Sequence, residues 1–170
     1  KYSDQVKSLS FIAPAGFGKV QTSIPFFMKI PGVIEWAMHV LADRFYGSAI
    51  SSETAHSNDP LSINEEEFQQ LFSFQMQFKG FRESLASTMR NFNLFDAREM
   101  FEKVAAKNIP SIAIWGDNDG IVSYKGAETY SEIFQKGKVI TIEGGTHDIT
   151  YRQPSNVLEA IKIFLDSQKS

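Results

Sequence analysis

The residues best equipped for chemistry in this chain are Asp119 and His147, 28 positions apart and each just beyond a strand-like run. A carboxylate that accepts the Nδ1–H of an imidazole fixes its tautomer and stabilises its cation, which leaves Nε2 free to move a proton. Asp119 stands in Ile109-Pro-Ser-Ile-Ala-Ile-Trp-Gly-Asp-Asn-Asp119-Gly-Ile-Val122, and His147 ends Val139-Ile-Thr-Ile-Glu-Gly-Gly-Thr-His147. A bland reading stands beside the chemical one: Asp-Asn-Asp-Gly is good turn chemistry, and a loop histidine can be structural. Asp117, on the same loop, is the competing carboxylate. The other two histidines, His39 in Trp36-Ala-Met-His-Val-Leu and His56 in a polar loop, have no second His or acidic partner at ligand spacing, so no metal site is expected.

The elements that must position the pair are legible. Val6 to Ala13, Ser111 to Trp115 and Lys138 to Ile142 are rich in β-branched residues and end in Gly or Pro, the pattern of buried parallel strands. Between the last two, Tyr124 to Gln135 places Ala127, Tyr130, Ile133 and Phe134 at helical spacing with Gly137 as a stop. After the third strand, Pro154 opens a helix pattern with Val157, Leu158, Ile161, Phe164 and Leu165 on one stripe; proline at a first turn gives up only an orphan donor. The order β-α-β-α implies a parallel sheet with helices on its faces. One crossover between Asp119 and His147 then brings both to the carboxyl edge of the strands, where open parallel sheets bind their ligands.

Residues 18–104 read differently. They hold amphipathic patterns over Val33 to Phe45, Asn64 to Phe78, Gly80 to Asn91 and Asp96 to Ala105, and most of the phenylalanines. Asn64 with Glu67 predicts a capping box, and the Ser-rich stretch Gly47 to Asn58 predicts a loop. The expected organisation is a first core strand over 1–17, an inserted all-helical cap over 18–104, and a C-terminal β-α-β-α part over 105–170. Phe26, Phe27, Trp36, Phe68, Phe72, Phe74, Phe78 and Phe81 suit helix faces that pack on one another; core packing is the default, and lining a pocket under the cap is the sharper alternative. Phe17 and Val122, beside the loops at the active edge, are the candidates for pocket wall.

Composition bounds the function. A chain of 170 residues, 42% hydrophobic and 22% charged, is that of a globular domain, neither disordered nor fibrous. Its net charge of −3 and scattered Lys and Arg carry no footprint for nucleic acid. The lack of cysteine removes disulfides, thiolate zinc sites and a cysteine nucleophile, and suits a cytoplasmic protein. No apolar run approaches the roughly 18 residues of a spanning helix, and Lys1-Tyr-Ser-Asp lacks a signal peptide's apolar core, so a soluble protein without a membrane span is expected. Without an initiator Met, and with a strand pattern starting within a few residues, the chain is expected to begin inside a longer protein.

The strand opened by Ile109-Pro110, with Gly116, Asp119 and Val122 beyond it, and the later strand ending in His147 resemble the second half of the α/β-hydrolase family. In that family a strained G-x-S-x-G elbow presents the nucleophile, and the order is nucleophile, acid, histidine. The resemblance implies a partial α/β-hydrolase fold, a three-stranded parallel sheet with flanking helices and an inserted cap. It favours Asp119 over Asp117 as the acid and makes His147 the base. The family usually reads Gly-His with Glu five residues later and Pro seven later; here Thr146 precedes His147, Arg152 replaces the Glu and Pro154 matches. No glycine of the chain has Ser, Asp or Cys two positions on, so it holds no elbow.

The resemblance thus implies the C-terminal fragment of a hydrolase of the carboxylesterase, lipase or C–C hydrolase kind, supplying Asp119 and His147 to a Ser-Asp-His triad and inactive alone. The small-molecule substrate would be an apolar acyl compound or ester, with no cofactor. The absent N-terminal half would be the partner of the open sheet edge, and a homodimer through that edge is the substitute. Two alternatives remain: a parent with an Asp nucleophile, as in dehalogenases and epoxide hydrolases, and a hydrolase-like scaffold that binds a ligand or a protein without chemistry. A flavodoxin-like or Rossmann-like reading suffers from the long helical insert and the absence of a phosphate-binding motif.

Overall fold

The computed structural model describes residues 3–18, 30, 32–40, 58–91 and 96–169. His56, Phe26, Phe27 and most of the Ser-rich stretch from Gly47 lie outside the described residues, as does the side chain of His39. The chain divides into two compact units: Lys1–Gln21 with Ala55–Ser62 and Phe95–Ser170, and Thr22–Thr54 with Ile63–Leu94.

The first unit is a parallel sheet, β1 (Leu9–Ile12), β2 (Ser111–Gly116) and β3 (Lys138–Ile142), in the order β1-β2-β3. Leu9 pairs with Ser111 and Ile12 with Ile114, and Ile112 pairs with Lys138 and Gly116 with Ile142. Only β2 is buried along its whole length, in contrast to the expectation of three buried strands. The reason is position: β2 has a strand on each side, whereas β1 and β3 have one each among the described residues.

Because strand side chains alternate between faces, the sheet sorts its residues by parity. Phe11, Ala113, Trp115 and Val139 face one way and pack with Phe17, Tyr130, Phe134 and Ala127. That face is covered by α4 (Arg98–Ala105), through Phe101 and Ala105, and by α5 (Gly126–Ile133). Ile112, Ile114, Ile140 and Ile142 face the other way, under α6 (Ile149–Arg152) and α7 (Pro154–Ser167) through Ile149, Val157, Ala160 and Phe164. Fully burying a large apolar side chain contributes about 1.5–3 kcal/mol, so Trp115 and the β2 isoleucines anchor the unit from both faces. The α7 stripe is narrower than its sequence pattern, since Leu158 and Leu165 are exposed and Ala160 takes part instead. Tyr130 closes the first face with a buried 2.8 Å hydrogen bond between its hydroxyl and that of Ser111, and burial pushes its pKa above the ordinary value of 10.0 despite that bond.

The second unit contains α1 (Val33–Val40), α2 (Glu65–Gln75) and α3 (Phe81–Asn91) and no strand among the described residues. Asn64 caps α2 as its sequence predicts: its side chain accepts from Glu67 N at 2.9 Å, and Glu67 accepts from Asn64 N at 3.0 Å. α1 and α3 meet at Ile34 and Ala86 and through the Arg90–Glu35 ion pair. Of the aromatic residues expected to pack as core, Phe68, Phe72 and Phe81 are half-buried, with Phe72 edge-on to Phe81, whereas Trp36, Phe74 and Phe78 are exposed, Trp36 at 62%. The stretch read as one cap from 18 to 104 is therefore shared between units, for α4 and residues 58–62 belong to the first. Phe101 explains the assignment of α4, since it stacks on Phe17 at 3.9 Å within the sheet's own core. Among the described residues no helix is long and apolar enough to cross a membrane.

Candidate functional site

Asp119 and His147 come together at the carboxyl edge of the sheet. Asp119 follows β2 by three residues and His147 follows β3 by five, and Nδ1 of His147 lies 3.0 Å from Oδ2 of Asp119. A carboxylate only accepts, so in the neutral ring the proton sits on Nδ1 and the lone pair on Nε2. The Asp119 side chain is 0% exposed, whereas that of His147 is 34% exposed. The carboxylate is thus removed from water while the imidazole stays partly exposed.

The second oxygen of Asp119 is held by its own turn. Oδ1 accepts from the backbone N–H of Ile121 at 3.0 Å and of Val122 at 2.7 Å. The turn reading of Asp-Asn-Asp-Gly and the chemical reading therefore describe one side chain, with one oxygen for each task. Asp117, the competing carboxylate, is exposed on the same loop.

Backbone contacts tie the two loops to one another. Asn118 N donates to Gly145 O at 2.9 Å and Asp117 N to Ile142 O at 3.3 Å, so the acid loop hangs from the end of β3. That approach requires glycines: a Cβ on Gly116 would lie 2.2 Å from Gly145 O, and one on Gly145 would lie 2.8 Å from the Ile149 side chain. The far end of the acid loop is fixed by Trp115, whose Nε1 donates to Val122 O at 2.8 Å.

The two candidates for pocket wall fall otherwise. Phe17 is 1% exposed and sits in the core among Phe11, Phe101, Trp115 and Tyr130, which makes it a packing residue rather than a pocket wall. Its direction is set by the turn before it, where Ala13 (φ 40°) and Gly16 (φ 99°) take left-handed conformations that fold the chain back over the sheet. Val122 is partly buried against the same core, with its backbone engaged by Asp119 and Trp115.

Asp59 supports this edge from far away in the chain and carries no signal of its own in the sequence. Its carboxylate accepts from Ser155 N and from Ser155 Oγ, each at 2.8 Å, and so caps the start of α7 from 96 positions away. The indirect clue was a helix opening on Gln153-Pro154 without a capping side chain of its own. Burial by itself raises the pKa of Asp59, but hydrogen bonds from Leu61 N and Ser155 outweigh it and hold the group below its ordinary value. Among the described residues no group of three or more His, Cys, Asp or Glu could hold a metal ion.

No protein-family model matches the sequence, and no curated protein matches it. Solved structures do match. A bromoperoxidase from Bacillus anthracis superposes with a TM-score of 0.67 at 21% identity, covering 94% of this chain and 58% of its own. A thermophilic esterase from Thermogutta terrifontis gives 0.65 at 16% identity, over 100% and 59%. An α/β-hydrolase enzyme from a Medee basin deep-sea metagenome library gives 0.60 at 13% identity, over 98% and 58%. At such identities the likeness speaks for the fold, and the chain spans somewhat under two thirds of the length of each neighbour. The chain has a partial α/β-hydrolase fold, with Asp119 and His147 joined at the carboxyl edge of its sheet.

Proposed function

We propose that this chain supplies the acid and the base of a Ser-Asp-His triad to a hydrolase of esters or related acyl compounds. The observation that carries the reading is the 3.0 Å contact between a fully buried Asp119 carboxylate and a partly exposed His147 ring. In that role Nε2 of His147 takes the proton of a serine as it attacks the acyl carbon, then returns it to the leaving group. Asp119 holds the ring and balances the imidazolium while staying ionised. An esterase and a serine hydrolase involved in carbazole degradation among the structural neighbours support the acyl substrate class. The serine belongs to residues upstream of Lys1, because no elbow occurs in this sequence, and the chain alone is inactive.

The sheet supports a choice of partner. Ile12 and Val6 are exposed, and no described strand pairs with the outer edge of β1. An unpaired edge is a template for another strand, which here is the sheet of the N-terminal half; a second copy of this chain takes its place when that half is missing. Light scattering at high concentration then reports dimers, and a strictly monomeric chain counts against the edge.

A fluorophosphonate probe tests the reading. It labels a longer protein that carries this chain with its upstream half, the label is lost in His147→Ala, and the 170-residue chain stays unlabelled. Labelling of neither form moves the reading to an Asp nucleophile or to a binding module. Labelling of this chain alone contradicts the account of the missing nucleophile.

A further inference from the structure

Thr146 and Arg152, the two positions at which the histidine segment departs from the usual family pattern, turn out to share one partner, Asp148. Thr146 Oγ1 donates to Oδ1 of Asp148, and Arg152 Nε donates to Oδ2 at 3.0 Å. The Arg152 and Asp148 side chains are only 11% and 20% exposed, so the pair is little screened by water. Backbone bonds repeat the connection: Tyr151 N and Arg152 N both donate to Asp148 O, at 2.8 and 3.0 Å. The residues on either side of His147 are therefore joined to each other and to α6 behind them. The next residue fastens the segment to β3, with Gln153 Nε2 donating to Glu143 O at 3.2 Å.

We infer that Asp148, engaged by Thr146 and Arg152, is a positioning residue for His147. The inference rests on the reading of His147 as the base of the triad. Two effects combine. The side-chain link narrows the backbone freedom of residues 146–148, which sets where the ring emerges. The link also occupies a carboxylate that stands next to the imidazole in sequence and would otherwise compete with Asp119 for it. With Arg152 balancing its charge and Thr146 on its other oxygen, Asp148 leaves the ring to Asp119. The Thr and Arg thus form a matched pair in this chain, each placed to serve the same aspartate.

The test uses this chain, labelled at histidine, and follows by NMR how fast the Nδ1 proton of His147 exchanges with water. Asp119→Asn provides the reference for a ring that has lost its acid. Arg152→Met is expected to speed exchange on the order of tenfold, the loss anticipated for one charge-assisted hydrogen bond. Arg152→Lys, which keeps a cation beside Asp148, restores most of the protection, a rescue that a packing role alone would not give. Should Arg152→Met not fold, Thr146→Val removes one bond from the other oxygen and is expected to accelerate exchange in the same direction. A folded Arg152→Met protein with unchanged exchange overturns the positioning role while leaving the Asp119–His147 pair standing. A wild-type chain that exchanges as fast as Asp119→Asn overturns both, and so marks the failure as that of the triad reading.

Discussion

Asp119 spends its two oxygens on different tasks, one on the His147 ring and one on the N–H groups of Ile121 and Val122. Asp119→Asn replaces one of those acceptors by a donor that faces an N–H, in a position closed to water. The variant is expected to lose about 1–3 kcal/mol, read as a lower urea midpoint. Asp117→Asn, on the exposed side of the same loop, is expected to stay within about 0.5 kcal/mol of wild type. Sequence separated these carboxylates only through the spacing of a family pattern, whereas burial separates them physically. The sequence shows His147 beyond a strand, but it does not show that Phe17 turns into the core. Proximity to an active-edge loop says nothing of where a side chain points once two left-handed residues, Ala13 and Gly16, have turned the backbone.

Among the elements, the contact between the acid and histidine loops depends on the absence of side chains at Gly116 and Gly145. Gly116→Ala sets a methyl group against Gly145 O, and the loops must part to admit it. A loss of about 1–3 kcal/mol is expected, visible as a lower Tm together with faster exchange of the His147 ring proton. Unchanged values for both would mean that the loops are not in contact. Most elements could be read from sequence because their signals are local: the β-branched runs of β2 and β3, the Asn64–Glu67 box and the proline that opens α7. The strand pattern beginning at Val6 runs three residues ahead of β1, which starts at Leu9, where pairing with β2 begins. The identity of Asp59 as the cap is not legible, because a bond across 96 positions leaves at most an uncapped helix start in a local window.

At the scale of the whole molecule, the first unit's core carries one titrating group whose ionisation opposes folding. Tyr130 is fully buried, and its pKa is raised by that burial above the ordinary 10.0, partly offset by the bond to Ser111. The unfolded chain therefore ionises this tyrosine first. Its contribution to stability is complete below about pH 10 and is lost as pH rises toward the folded-state value. Chemical denaturation of wild type and Tyr130→Phe is expected to show the stability difference shifting in favour of the variant above pH 10, and a constant difference would contradict the assignment. The parallel sheet with flanking helices follows from patterns spread along the chain, which sequence reports well. The placement of α4 in the first unit does not, because it rests on contacts distant in sequence, among them Phe101 against Phe11 and Phe17 and Arg98 with Glu132. The hydrogen bond between Asp119 and His147 ties this fold to its proposed chemistry, and nitrogen NMR of the neutral His147 ring reads it directly. A proton on Nδ1, held toward Asp119, with Nε2 unprotonated is the expected result; a ring protonated on Nε2, indifferent to Asp119→Asn, would contradict the pairing.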